Sequence, residues 1–124
     1  MRVIIAGGRD FNDFDGMIVK LDALFSVTDE GVTVISGTAN GADKLGERYA
    51  DFRGYEIERY PAQWDVYGRS AGYKRNEQMA GIASHCVVFW DGQSRGSKHM
   101  IDIAKREGLE LRVIKYHGNL GVLA

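Results

Sequence analysis

Cysteine and proline are nearly absent from this chain: Cys86 and Pro61 stand alone among 124 residues. A single cysteine cannot close an intramolecular disulfide, which sets aside a disulfide-stapled scaffold and fits a reducing compartment. Cys86 lies in the apolar run His85-Cys-Val-Val-Phe-Trp90, where a buried, inert thiol is expected. No apolar run approaches the roughly 20 residues of a membrane span. The chain begins directly on a strand pattern, without the marks of a signal peptide. The reading is a cytoplasmic protein with no membrane partner. An excess of either charge is missing too, with 16 Lys and Arg against 17 Asp and Glu and a formal net charge of −1. Without a global basic field or a basic stripe, nucleic acid is not the expected partner. His85, His99 and His117 are scattered, with neither metal-ligand spacing nor a triad around them, so no metal or cofactor is expected. The dinucleotide fingerprint G-x-G-x-x-G and the Walker A pattern are both absent.

What is present is a regular alternation of strand and helix signals. A hydrophobic content of 44% is enough for one core, so residues 1–124 read as a single domain without repeats, linkers or low-complexity tracts. Compact apolar or alternating runs predict strands at 2–6, 32–35, 55–59, 86–90 and 111–116. Apolar residues at helical spacing predict helices over 14–25, 41–52 and 70–83, and a fourth carrying Met100, Ile101, Ile103 and Ala104 up to Gly108. Asp13 or Asp15 can cap the first helix. Residues 60–69 read as a long loop, and 117–124 as a tail without assignment that frays. Strands alternating with helices imply a Rossmann-like three-layer α/β/α sandwich with a mostly parallel five-stranded sheet. The expected order is 3-2-1-4-5, with the apolar strands 1 and 4 at the centre and the more polar third strand at an edge. Ligands in such sheets bind beyond the carboxyl ends of the strands, where the order reverses.

Four glycine-bearing segments fall there. The central one is Ser36-Gly-Thr-Ala-Asn-Gly-Ala-Asp43, which leads from a β-branched strand into a helix. Glycines let backbone approach a ligand, and a helix start offers unpaired N–H groups and a positive dipole end. Ser36, Gly37, Asn40 and Gly41 are candidates for phosphate or ribose, with Asp43 either meeting sugar hydroxyls or serving as a cap. Gly7, Gly8 and Arg9 end the first strand and either approach a ligand or form a tight turn with a solvated arginine. Arg75 and Asn76 either grip phosphate or belong to a solvated helix face. Trp64 and Tyr67 either stack on a base or anchor the loop. Asp91, Gly92, Ser94, Gly96 and Ser97 make another helix start rich in small residues. Of the carboxylates only Asp10, Asp43 and Asp91 lie near these turns, so an acid–base pair is not indicated.

Taken together, Gly7-Gly-Arg-Asp-Phe11, Ser36-Gly-x-Ala-x-Gly-Ala-Asp43, Tyr60-Pro-Ala-x-Trp64, Ala71-Gly-x-x-Arg-Asn-x-x-Met79 and Trp90-Asp-Gly-x-Ser-x-Gly-Ser97 resemble the YspA/YpsA-related branch of the SLOG superfamily. That superfamily includes the LOG phosphoribohydrolases and the DNA-processing protein DprA. The resemblance spans about residues 3–105. It implies a nucleotide or nucleotide-derived ligand at the glycine turns, and a role in ligand sensing or processing. The LOG hydrolases carry Gly-Gly-x-Gly-Thr-x-x-Glu, whose glutamate serves N-glycosidic cleavage. Here Gly96-Ser97 is followed by Lys98, His99 and Met100, so methionine stands at the glutamate position. Arg75 matches the LOG arginine. The expectation is therefore binding for sensing or sequestration. The alternative is a nucleoside-phosphate N-glycosidase using Asp43 or Asp91, and a DprA-like DNA-binding role ranks third. The resemblance also implies a homo-oligomer.

Overall fold

The computed structural model describes residues 1–26, 28 and 30–124. These form a six-stranded sheet of β1 (Arg2–Gly7), β2 (Thr33–Ser36), β3 (Glu56–Arg59), β4 (His85–Trp90), β5 (Glu110–His117) and β6 (Val122–Leu123). The spatial order is β3-β2-β1-β4-β5-β6. The first five strands are parallel and β6 runs antiparallel to β5. Four helices of ten to twelve residues connect them: α1 (Phe14–Phe25), α2 (Ala42–Arg53), α4 (Ala71–Ala80) and α5 (Arg95–Arg106). A one-turn helix, α3 (Trp64–Tyr67), and a 3-10 turn, Gly68–Ser70, precede α4.

Strand periodicity sorts the core into two layers, because successive side chains point to opposite faces. Val3, Ile5, Val34, Val87 and Phe89 meet α1 and α2 through Met17, Leu21, Phe25, Tyr49 and Ala50. Ile4, Ala6, Ile35, Cys86 and Val88 meet α4 and α5 through Met79, Ala80, Met100, Ile101 and Ile103. The architecture is thus the Rossmann-like sandwich expected, with β1 and β4 buried at the centre and the charged β3 at an edge. The chain steps from β1 to β3 in one direction and crosses back to β4, so the switch point lies between β1 and β4.

Local chemistry sets the element ends. Asp13 caps α1 by accepting from Gly16 N at 3.0 Å. Gly54, at φ 74°, closes α2 in the left-handed conformation that glycine adopts without strain. The sequence expectation fails in three places. Residues 60–69 are not one open loop, since α3 and the 3-10 turn occupy their second half. Helix α4 stops at Ala80, short of the expected end at 83, which leaves Ile82 exposed, and Phe52 lies at the exposed margin of α2. The tail does not fray. Asn12 N donates to Gly121 O at 3.1 Å, Leu123 N donates to Asp13 Oδ2 at 3.3 Å, and the Tyr116 hydroxyl donates to Asp10. Residues 117–124 therefore fold back as a hairpin that stitches the β1–α1 turn to β5.

Candidate functional site

At the carboxyl ends of β1 and β4 the chain encloses a cavity of about 540 Å³. The β1–α1 turn lines it with Gly7, Gly8, Arg9 and Asp10, and the start of α2 with Asp43. Trp64, Arg69, Tyr73, Arg75 and Asn76 close it from the α3–α4 side, and Asp91, Ser94, Gly96, Ser97 and Met100 from the α5 side. A second cavity of about 360 Å³ adjoins it, bounded by Gly37, Thr38, Asn40 and Pro61 and sharing Arg9, Ala39, Trp64 and Arg75 with the first. Of the residues singled out from sequence, Ser36, Gly41, Tyr67 and Gly92 line neither space. Asp10, Arg69 and Tyr73 are lining residues that the sequence reading did not select. Arg69 precedes the α4 motif and Tyr73 stands at one of its unspecified positions, so neither carries a signal of its own. From sequence Asp10 is only a carboxylate near the turns; its bond from the Tyr116 hydroxyl, 106 residues later, fixes it there.

Ser36 has a different occupation. Its side chain is fully buried, its hydroxyl donates to Glu47 Oε2 at 2.6 Å, and it accepts from Thr38 N at 3.0 Å. Arg59 Nε donates to the other Glu47 oxygen at 2.9 Å. Burial alone would raise the Glu47 carboxyl, but the Ser36 hydroxyl and the Arg59 guanidinium hold it below the usual range. This group fixes the end of β2 against α2. Gly41 is also structural. At φ 80° it brings the start of α2 so close to Gly8 and Arg9 that a Cβ would collide with their carbonyl oxygens, and Ala42 N donates to Gly8 O at 3.1 Å. Two turns that border the cavities are thereby locked to each other.

Arg75 and Asp43 form the charged centre. Arg75 Nη1 donates to Gly37 O and Nε donates to Asn76 Oδ1 at 3.0 Å. Gly37 makes room for the guanidinium, since a Cβ there would lie 2.6 Å from Arg75 Nη1. Burial lowers the Arg75 pKa, the Asp43 charge opposes that, and Arg9 adds to the lowering. Asp43 is not the α2 cap: Gly41 holds that position, and Asp43 Oδ2 accepts from Ala39 N at 3.2 Å. Burial pushes the Asp43 carboxyl up to about 6, against the Ala39 N–H and the guanidinium of Arg75.

The α5 entrance is built differently. Asp91 Oδ1 accepts from Ser94 N and Gln93 N, both at 2.8 Å, and these bonds hold its carboxyl below the usual range. Ser94 caps the helix by accepting from Ser97 N. The N–H groups of Arg95 and Gly96, in the first turn, have no intrahelical acceptor. Ser97 is 4% exposed, and its Oγ has no hydrogen-bond partner among the described residues. A buried hydroxyl is ordinarily paired, so Ser97, on the cavity wall, keeps an unmet hydrogen-bonding capacity. Met100 lies one turn further, buried on the same wall.

Trp64 is half exposed and borders both cavities, whereas Tyr67 borders neither and stands beside Lys74. Among the described residues there is no group of three or more His, Cys, Asp and Glu that could hold a metal ion. No described helix is long and apolar enough to cross a membrane.

Comparison with known proteins gives two matches. The sequence model described as the YspA, cpYpsA-related SLOG family matches residues 1–67, which hold the first two turns and Trp64. The Gene 61 protein of Mycobacterium phage D29 is 32% identical over 114 residues, covering 87% of this chain and 91% of that protein. No solved structure matches the chain.

Proposed function

The chain belongs to the YspA, cpYpsA-related SLOG family, which suggests a nucleotide-related function, and from that premise we propose that its switch-point cavity binds a nucleotide-derived ligand. The observation that carries this reading is the orphan hydroxyl of Ser97 beside the open N–H groups of α5. A phosphate oxygen would accept from all three, at the positive end of a twelve-residue helix. Arg9 and Arg69 line the same space and make no ion pair among the described residues, so their charge is available to an anion. Trp64 offers an aromatic face to a base where the two cavities meet.

The site favours holding over cleaving. Met100 has no proton to give or take, and Asp91 is engaged by two backbone N–H groups. Sensing or sequestration of the ligand is the function this supports best. One observation favours turnover: a carboxyl raised to about 6 at Asp43, poised between its protonated and charged forms near neutrality. If the protein is an N-glycosidase, Asp43→Asn abolishes release of free base from a nucleoside monophosphate. If it is a binding protein, no base is released by either form.

We further propose that the chain self-associates. Val66 and Tyr67 on α3 and Tyr73 on α4 are large apolar side chains left exposed, which a second copy would cover.

A further inference from the structure

We infer that His99, outside the cavity lining, is a positioning residue that acts through Asn76 to fix the direction in which Arg75 presents its guanidinium. The inference starts from arginine, which has donors and no acceptor. The group facing Arg75 Nε at 3.0 Å must therefore be the carbonyl oxygen of Asn76, which settles the orientation of that amide. Its NH₂ then points at His99 Nδ1, 3.2 Å away. Nδ1 must present a lone pair, so the His99 proton sits on Nε2. The relay runs from His99 to Asn76, to Arg75, to the carbonyl of Gly37, joining α5 to the β2–α2 turn across the cavity.

The surroundings hold His99 in this form. The Tyr73 ring lies against the imidazole with centroids 4.2 Å apart. Burial lowers the His99 pKa, while Glu77 on α4 and Asp102 on α5 oppose that and Arg106 on α5 adds to it. On protonation Nδ1 becomes a donor facing the Asn76 NH₂. The amide must turn, which sets two donors against each other at Arg75 Nε and leaves the guanidinium held by Gly37 alone. Added positive charge near an anion site ordinarily strengthens binding. This relay makes the opposite sign: acid loosens Arg75 and weakens the anion. What Arg75 grips rests on the nucleotide reading above, whereas the relay itself does not.

The test is nitrogen NMR of the ligand-free, ¹⁵N-labelled protein, followed by a sulfate titration, since sulfate stays a dianion over the range used. The expected result at pH 7.5 is the Nε2–H tautomer of His99. The Arg75 Nε–H signal should shift on acidification with the same midpoint as the His99 ring. Asp43, beside Arg75, also loses its charge over this range, in the natural protein and in the variants alike, so the relay is read as a ratio between them: between pH 7.5 and 5.5 the sulfate affinity of the natural protein should fall relative to that of His99→Gln. His99→Gln keeps a neutral acceptor throughout, and His99→Phe should bind weakly at both pH values. An Nδ1–H tautomer, or an Arg75 signal that ignores the His99 titration, overturns the inference. Failure of sulfate to bind at any pH counts against the anion site, and the tautomer and the Arg75 signal still decide the relay.

Discussion

Ser97 holds a hydroxyl that folding has stripped of water and left without a protein partner. Such a group destabilises the empty protein by about 1–3 kcal/mol relative to a paired one. Ser97→Ala is therefore expected to leave the ligand-free fold as stable or more so in urea unfolding, while weakening ligand binding about tenfold. A variant that loses stability and keeps its affinity would show Ser97 to be structural. Asp43 makes a second prediction with a definite sign. Its folded pKa of about 6 lies above the ordinary carboxyl value of 3.8, so its contribution to stability is full in acid and is lost as pH rises through about 6. The rise from 3.8 to about 6 corresponds to roughly 3 kcal/mol at neutral pH. Asp43→Asn should be more stable than the natural chain at pH 8 by an amount of that order, with the gap closing toward pH 4. Equal pH profiles for the two proteins in denaturant melts would refute the assignment. Arg75 and the small-residue turn before α5, both candidates from sequence, line the cavity. Residue types alone left their roles open. They did not reveal the occupation of Ser36, because its partner Glu47 lies a helix turn beyond the motif and reads as a solvated charge.

The turns act as a set because they are packed on one another. Gly41 supplies the clearest case, at a positive φ with the carbonyls of Gly8 and Arg9 against its α-carbon. Gly41→Ala combines left-handed strain with a backbone collision, and is expected to cost more than about 2 kcal/mol. Loss of amide exchange protection at Ala42, whose N–H bonds Gly8, is the local signature to measure; unchanged protection and stability would contradict this packing. Element existence was legible from periodicity for all four long helices and the five parallel strands. The parts missed were those with weak local signals. Helix α3 is four exposed residues with no buried face, and β6 is two residues whose pairing depends on a turn at Gly121. Neither carries a hydrophobic period long enough to read.

For the molecule as a whole, apolar strands at the centre, a charged strand at one edge and helices on both faces followed from burial patterns alone. The closing hairpin did not, since its bonds to Asp10, Asn12 and Asp13 join the two ends of the chain. Self-association is a property of the same scale. Small-angle scattering at micromolar concentration should return a multiple of the 13.8 kDa chain mass, and a monomer mass would remove the proposal. The cavity itself has one direct test. The natural protein and Arg75→Ala, purified alike, are denatured and the released small molecules identified by mass spectrometry. Melting shifts against a panel of nucleoside phosphates and ADP-ribose follow. The account predicts that a phosphate-bearing nucleotide derivative accompanies or stabilises the natural protein, survives incubation intact, and is lost from a folded Arg75→Ala. No ligand and no melting shift across the panel, or a shift undiminished in Arg75→Ala, would contradict it.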